Sequence, residues 1–158
     1  MDRDTALLTS IGSSICGAAA VLGAEPVVKS KPYKAAVAVS TVVIFGTLSM
    51  FLYPALYRAG MLNLTTEQMG LFTGATLHEV AHVVGAGNAM GQAISDPAII
   101  VKMIRVMMLA PVLVILSIIL ARRDSAAGGN SEKRKITIPW FAFLFLAVIG
   151  FNSLHLLP

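Results

Sequence analysis

The chain has 158 residues, of which 56% are hydrophobic and 13% are charged, and its formal net charge is +4. Soluble domains carry about 25% charged residues, so this composition excludes an ordinary soluble fold and predicts an all-α, polytopic membrane protein. The 12 Lys and Arg residues lie in short clusters between apolar runs, which argues against a nucleic-acid-binding surface. The single cysteine, Cys16, excludes a disulfide framework and a cysteine-based metal cluster.

Five apolar segments are long enough to cross a bilayer, for which a helix needs about 20 residues. A polar loop with five basic residues, 122–135, precedes the last of them. The basic residues divide almost evenly between the two sides if all five segments cross, so the positive-inside rule does not decide the orientation. The candidate membrane segments are residues 6–24, 35–57, 67–90, 97–121 and 136–158.

Three of these segments have features that predict where their helices begin, break or end. The first contains glycines and serines near its centre, so we expect a broken helix that ends at Glu25–Pro26. The third should begin after an N-cap at Thr65 or Thr66, and it either crosses the membrane or re-enters on the same side. The fourth should start at Asp96–Pro97, because proline suits the first helical turn.

A cluster of small and polar residues lies inside the first apolar segment: Gly12, Ser13, Ser14, Cys16 and Gly17. Glycines on both sides of hydroxyl residues allow a helix to unwind, and the backbone N–H groups freed at a half-helix N-terminus attract an anion. The alternative is that small residues let two helices pack closely. We predict that these residues bind a substrate anion.

Two basic residues, Lys102 and Arg105, lie three positions apart in the fourth segment. Arg105 is about 12 Å along the axis from Pro97, at about 1.5 Å per residue, which is deep for a charged group. It could attract an anion, pair with Glu79, or anchor a tilted helix at the interface. We include both basic residues in the predicted substrate site.

Residues 78–82, His-Glu-Val-Ala-His, match the H-E-x-x-H pattern of zinc proteases, in which two histidines bind the metal and the glutamate activates water. A catalytic zinc site needs a third protein ligand. The candidates Asp96, Asp124 and His155 are surrounded by no recognisable motif. An intramembrane zinc protease is therefore the alternative interpretation, and we predict no enzyme activity, no cofactor and no metal site.

On a continuous helix, the third segment would place its small and polar residues within an arc of roughly 120°. Ionisable groups inside a membrane face the protein interior or an aqueous cavity. We therefore predict that His78, Glu79 and His82, with Asn88 on the same face, couple transport to a proton, with sodium as the other coupling ion considered. The alternative is that the glutamate and a histidine are buried and only satisfy each other, with no role in transport. The face comprises Gly74, His78, Ala81, His82, Gly85 and Asn88.

Several stretches in order along the chain resemble a family of bacterial inner-membrane proteins described as sulfate exporters, the YeiH type. The resemblance implies a multi-pass, inverted-repeat transporter of sulfate or another small anion, with residues 12–17 in a broken helix and Glu79 with His78 in a polar site beside it. The family commonly has Gln in place of His82, so no zinc site is implied. The stretches are GSSICGAAA at 12–20, Glu25–Pro26, HEVA at 78–81, VKMIRVMMLAP at 101–111, ITIPWFA at 136–142 and FNSLHLLP at 151–158.

Family members are longer than this chain, so we expect an internal piece of a transporter. Its expected partners are the lipid bilayer, a small anion and a coupling ion, with no nucleic acid. The missing helices could come from the rest of the protein, from a partner or from a homo-oligomer, and a membrane subunit without activity of its own is a further alternative.

Overall fold

A computed structural model describes residues 2–126, 148, 150 and 151, and the predicted segment 136–158 therefore lies almost wholly outside the described residues. Residues 2–126 fold into seven α-helices without a β-strand, which confirms the predicted all-α class. The helices are α1 (Arg3–Ser14), α2 (Ala18–Val28), α3 (Pro32–Arg58), α4 (Thr66–Thr76), α5 (Val80–Met90), α6 (Gln92–Met107) and α7 (Leu109–Ala126).

Two helical stretches in the described residues are long and apolar enough to cross a membrane, namely Pro32–Arg58 and Gln92–Arg122. The first is α3, and the second is α6 continued into α7. Their outward faces carry large hydrophobic side chains such as Phe51 and Ile100, whereas the largest fully buried side chain is Lys102. A protein with apolar groups outside and a lysine inside suits lipid as its solvent.

The helices α1 and α2 fold back on each other as a hairpin, which we call the first hairpin. A Cβ added to Gly12 on α1 would lie only 2.6 Å from Cγ2 of Val21 on α2. The open end lies beside the start of α3, where Lys34 Nζ is 2.7 Å from Asp4 Oδ2. The 12-residue α1 is about 18 Å long, so the turn Ile15–Gly17 lies near the middle of a hydrocarbon core of about 30 Å.

The helices α4 and α5 form a second hairpin, and both pack against α6. A Cβ on Gly70 would lie 2.9 Å from the Ile94 carbonyl oxygen, and one on Gly74 would lie 2.2 Å from that of Ala98. The equal spacing of these contacts shows that α4 runs in the same direction as α6. The turn at Gly91, with φ 122°, joins α5 to α6, so α5 runs in the opposite direction.

The two hairpins approach from opposite ends of α3 and meet at their turns, Ile15–Gly17 and Leu77–Glu79, which we call the two tips. The second hairpin has its open end at the end of α3, where Arg58 donates a 2.6 Å hydrogen bond to the Ala89 carbonyl of α5. Each hairpin is followed by a long helix that packs on it, α3 or α6. The described residues thus contain the same unit twice, in opposite orientations.

The predictions for the irregular segments have mixed outcomes. The first segment breaks where predicted, at Gly17 with φ 73°, and its two halves fold back on each other as the first hairpin. The third segment also folds back, as the second hairpin, which is the geometry expected for its re-entrant alternative. The continuous helix assumed for residues 67–90 is wrong, because the extended backbone at Leu77 (ψ 146°) and Glu79 (ψ 154°) separates two half-helices.

The predicted N-cap of the third segment is confirmed at Thr65, whose hydroxyl accepts a 3.3 Å hydrogen bond from the Gln68 N–H. In return the Gln68 carboxamide accepts a 3.0 Å bond from the Thr65 N–H, which completes a capping box. These reciprocal bonds satisfy two backbone donors and fix the start of α4.

Three predicted helix ends are wrong. The helix α2 continues through Pro26 to Val28, because proline removes only one backbone hydrogen bond. The helix α6 starts at Gln92 and contains Pro97, since Gly91 already makes the preceding turn. The helix α7 extends to Ala126, so the start of the predicted loop 122–135 is helical.

Among the described residues, most of the basic residues outside the tips lie at one end of the bundle. Lys29, Lys31 and Lys34 lie at the open end of the first hairpin, and Arg122 lies near the end of α7, which packs against α2. Arg58 lies at the opposite end. Cytoplasmic loops are enriched in Lys and Arg, so we expect the open end of the first hairpin to face the cytoplasm.

Single cysteines in the full-length protein, made otherwise cysteine-free, test this arrangement. On intact cells, a membrane-impermeant maleimide should label Met61→Cys, and it should label Arg3→Cys and Lys31→Cys only after permeabilisation. Labelling of Arg3→Cys on intact cells while Lys31→Cys stays protected would show that the first segment crosses. Labelling of both Arg3→Cys and Lys31→Cys on intact cells, with Met61→Cys protected, would show that the orientation is the opposite one.

Candidate functional site

Lys102 on α6 connects the two hairpin tips. Its ammonium group is fully buried and donates hydrogen bonds of 2.9 Å to the Ile15 carbonyl and 2.7 Å to the Leu77 carbonyl. These carbonyls lie at the C-terminal ends of α1 and α4, where the helix dipole places partial negative charge. The lysine therefore satisfies acceptors on both tips and neutralises both helix ends.

Arg105 lies one turn further along α6 and has the same kind of partners. All three of its guanidinium nitrogens donate to backbone carbonyls, over distances of 2.5 to 3.3 Å. An anion could accept a hydrogen bond from this side chain only by displacing one of these carbonyls. The accepting residues are Ser13 and Ser14 on α1, Gly74 and Ala75 on α4, and Leu77 in the second tip.

Glu79 lies on the other side of the two tips from Lys102 and Arg105, at the starts of α2 and α5. It is the N-cap residue of α5, and its Oε1 also accepts a 3.2 Å hydrogen bond from the Ala18 N–H at the start of α2. Gly17 makes this approach possible, since a Cβ there would lie 2.3 Å from Glu79 Cγ and its φ of 73° disfavours other residues. The carboxylate therefore lies where the positive ends of two helices meet.

The tips have a consistent electrical polarity because each hairpin presents one C-terminus and one N-terminus. Lys102 and Arg105 face the carbonyl ends of α1 and α4, and Glu79 faces the amide ends of α2 and α5. With neutral histidines, two positive charges and one negative charge leave a net charge of +1 on these side chains. This excess favours an anion in their neighbourhood.

The two histidines of the 78–82 motif have different environments. His78 Nδ1 lies 3.1 Å from the Val42 carbonyl on α3, which can only accept, so this nitrogen carries a hydrogen. His82 Nε2 lies 3.3 Å from Thr47 Oγ1 and 3.8 Å from Glu79 Oε2. The structure thus brings His78, Glu79 and His82 together, as predicted, against α3.

The other predicted site residues divide into those at the tips and those away from them. Ser13 and Ser14 end α1 and present carbonyls, rather than amides, to the site. Cys16 is buried in the first tip. Asn88 lies on the far part of α5, where its Oδ1 accepts a 2.9 Å hydrogen bond from Ser95, so it is not part of the cluster.

Sequence reasoning missed two contributors to the site. Thr47 of α3 approaches His82, but a single threonine in a long apolar run gives no signal of such a role. The carbonyls of residues 74–77 were missed because the second break contains neither glycine nor proline. Glu79 could have indicated this second break, because an acidic residue before an apolar run is typical of a helix start.

The H-E-x-x-H pattern does not form one helical face, because His78 and Glu79 precede α5. Within the described residues, no three His, Cys, Asp or Glu side chains form a group that could hold a metal ion. Of the proposed third ligands, Asp96 is on α6, and the side chains of Asp124 and His155 lie outside the described residues.

Comparison with known proteins gives a consistent set of relatives. A family model described as "Conserved hypothetical protein 698" matches residues 1–158. The chain is 67% identical over its whole length to a UPF0324 membrane protein of Bacteroides thetaiotaomicron, and covers 47% of that protein. It is 55% identical to the UPF0324 inner membrane protein YeiH of Escherichia coli K12, covering 45% of it. No solved structure matches.

Replacing Lys102 by methionine tests its role in holding the tips. The variant keeps the length of the side chain but leaves the Ile15 carbonyl without this donor, at about 1–3 kcal/mol for a buried acceptor left unpaired, and leaves Leu77 with only the 3.3 Å bond from Arg105. We expect a lower melting temperature for the full-length protein in detergent. The exposed Lys31→Met is the matched control, and an equal melting temperature for both variants would contradict the role.

Proposed function

Because the chain belongs to the family described as conserved hypothetical protein 698, whose curated relatives are named membrane proteins, we propose that it forms the tip-bearing part of a transporter for sulfate or another small anion. The predicted family and the bacterial inner-membrane location are confirmed by these matches. The chain spans about half the length of the curated relatives, covering 47% and 45% of two of them. Transport is therefore proposed for the full-length protein.

The observation that carries this proposal is the meeting of two oppositely directed hairpin tips around charged side chains. Irregular backbone at membrane depth is tolerated where it is buried in protein or lines a water-filled cavity. Many secondary transporters bind substrate at such discontinuous helices near the bilayer midplane, between inverted repeats. A lysine, an arginine and a glutamate are each costly at that depth, and although they also satisfy the helix ends, ionisable groups inside a membrane commonly mark substrate or ion pathways.

The polarity of the tips supports an anion as substrate. The Ala18 N–H at the start of α2 points at Glu79, which is itself the N-cap residue of α5, and the three charged side chains sum to +1. We place the anion-binding amide at Ala18 rather than at Ser13 and Ser14, whose carbonyls face the site.

Glu79 provides a means of coupling to protons. In the described structure its carboxylate accepts the Ala18 N–H, as a bound anion would. Protonation removes this negative charge and leaves the amide with only a neutral carboxyl oxygen as acceptor, so a substrate anion can displace it. Because substrate and ionised Glu79 compete for one position, proton uptake and anion binding become linked. The alternative coupling ion, sodium, would leave transport independent of the proton gradient.

The test is transport by the full-length protein in proteoliposomes, with radiolabelled sulfate as probe and sulfite and phosphate in parallel. A proton gradient should drive accumulation of the anion by the wild type. Glu79→Gln should equilibrate the anion without accumulating it, so the inside-to-outside ratio at steady state falls to about one when no coupling free energy is available. Glu67→Gln, an exposed residue in the first turn of α4, is the control and should accumulate normally.

The possible outcomes separate the parts of the proposal. If the wild type moves none of the three anions, the transporter assignment fails. If Glu79→Gln still accumulates anion with the proton gradient, the coupling role of Glu79 fails. Accumulation driven by a sodium gradient alone would show that sodium, and not the proton, is the coupling ion.

A further inference from the structure

The surroundings of His82 carry a more specific inference, which rests on the proposed function. We propose that His82, rather than His78, delivers the coupling proton to Glu79, and that Thr47 on α3 positions His82 for this transfer. The inference concerns three side chains from two different helices and the second tip: Thr47 on α3, Glu79 in the tip and His82 on α5.

One ring nitrogen of His82 is buried without a partner. Only 9% of the side-chain surface of His82 is exposed, and its Nδ1 has no hydrogen-bond partner among the described residues. A Cβ on Gly46 would lie 2.5 Å from this Nδ1, so only a glycine admits the ring so close to α3. Buried nitrogens without a partner are rare, and they often mark a group that changes its protonation state.

The partners of the other nitrogen indicate which tautomer is present. If Nε2 accepted from the Thr47 hydroxyl, the buried Nδ1 would carry an unpaired N–H, and unpaired buried donors are rarer than unpaired acceptors. We therefore place the hydrogen on Nε2, donated to Thr47 Oγ1 at 3.3 Å. This assignment leaves Nδ1 as a bare lone pair that can accept a proton.

His78 lacks both of these features. Its Nδ1–H is donated to the Val42 carbonyl at 3.1 Å, which fixes the ring against α3. In the described part of the chain, His82 is the histidine at ion-pair distance from a carboxylate, with 3.8 Å between Nε2 and Glu79 Oε2. His78 therefore serves as a packing and orienting residue, and His82 is the one placed to exchange a proton.

The proton can move in two balanced steps. Uptake of a proton at Nδ1 converts neutral His82 into the imidazolium form, with a hydrogen on each nitrogen. The Nε2 hydrogen then passes to Glu79 Oε2 once these atoms, 3.8 Å apart in the described structure, approach to hydrogen-bond distance, so the carboxylate becomes a neutral carboxyl and His82 becomes neutral again, with its hydrogen on Nδ1. The Ala18 N–H loses its anionic acceptor at Glu79 Oε1 and becomes available to the substrate.

Other charged and titratable groups surround this pair, and they set the field in which the transfer occurs. The helix α5 packs against α3, α4 and α6. The positive groups of α6 stabilise the ionised form of Glu79 and destabilise a charged His82, so they do not by themselves favour either partner. The groups are Tyr53 on α3, His78 and Glu79 in the second tip, Lys102 and Arg105 on α6, and Cys16 in the first tip.

The first experiment compares the pH dependence of sulfate counterflow in proteoliposomes for full-length wild type, His82→Gln and His78→Gln. Histidines titrate between about pH 5 and 8, and a one-proton step changes the rate by up to about tenfold per pH unit. We expect this pH-dependent change in the counterflow rate in the wild type and in His78→Gln, even if the maximal rate of His78→Gln is lower. The rate of His82→Gln should not show it and should change by less than about twofold over the same pH range.

A second set of variants tests Thr47. Thr47→Val removes the hydroxyl at nearly constant volume and should shift the midpoint of the pH profile, whereas Thr47→Ser should restore the wild-type midpoint. Thr41→Val is the matched control on the same helix, because the Thr41 hydroxyl donates to its own helix, at Val37. A purely structural effect would lower the rate equally at every pH and would not be rescued by serine.

The outcomes distinguish this inference from the transporter proposal. Wild-type counterflow together with an unchanged pH profile in His82→Gln overturns the inference and leaves the transporter intact. The inference is also overturned, with the transporter intact, if His78→Gln, and not His82→Gln, loses the pH dependence of the counterflow rate. If wild-type counterflow is absent for every anion tested, both proposals fail together.

Discussion

The structure depends on hydrogen bonds to the unpaired backbone groups at helix ends that lie in the middle of a membrane. Two hairpins leave four helix ends there, and hydrocarbon offers them no hydrogen bonds. Lys102 and Arg105 donate to the carbonyl ends, and Glu79 accepts from the amide of Ala18. The same charges that make the tips possible also carry the proposed anion site, so stability and the proposed function have a common origin here.

Much of the general architecture was predictable from the sequence, because it follows from composition. Long apolar runs predicted an all-helical membrane protein, and Gly17 predicted the first break, since its backbone adopts a conformation that other residues avoid. The cluster of His78, Glu79 and His82 was predictable because ionisable groups inside a membrane have few uses besides function.

The direction of the chain after each break was not predictable, because it depends on contacts between residues far apart in sequence. Gly12 against Val21 folds the first hairpin, and Gly74 against the backbone of α6 sets the direction of α4. Neither contact leaves a periodic pattern. The polarity of the first tip was also hidden: Ser13 and Ser14 were predicted to offer amides, but residues at a helix C-terminus expose carbonyls.

The unit of one hairpin and one long helix has a consequence for how such a chain can be assembled. A hairpin returns to the side from which it came, so each unit passes through the bilayer once. An odd number of passages means that a second copy, joined directly to the first, begins on the other side and is upside down. Antiparallel symmetry therefore needs no extra connecting segment, and tandem copying of one gene segment is sufficient to create it.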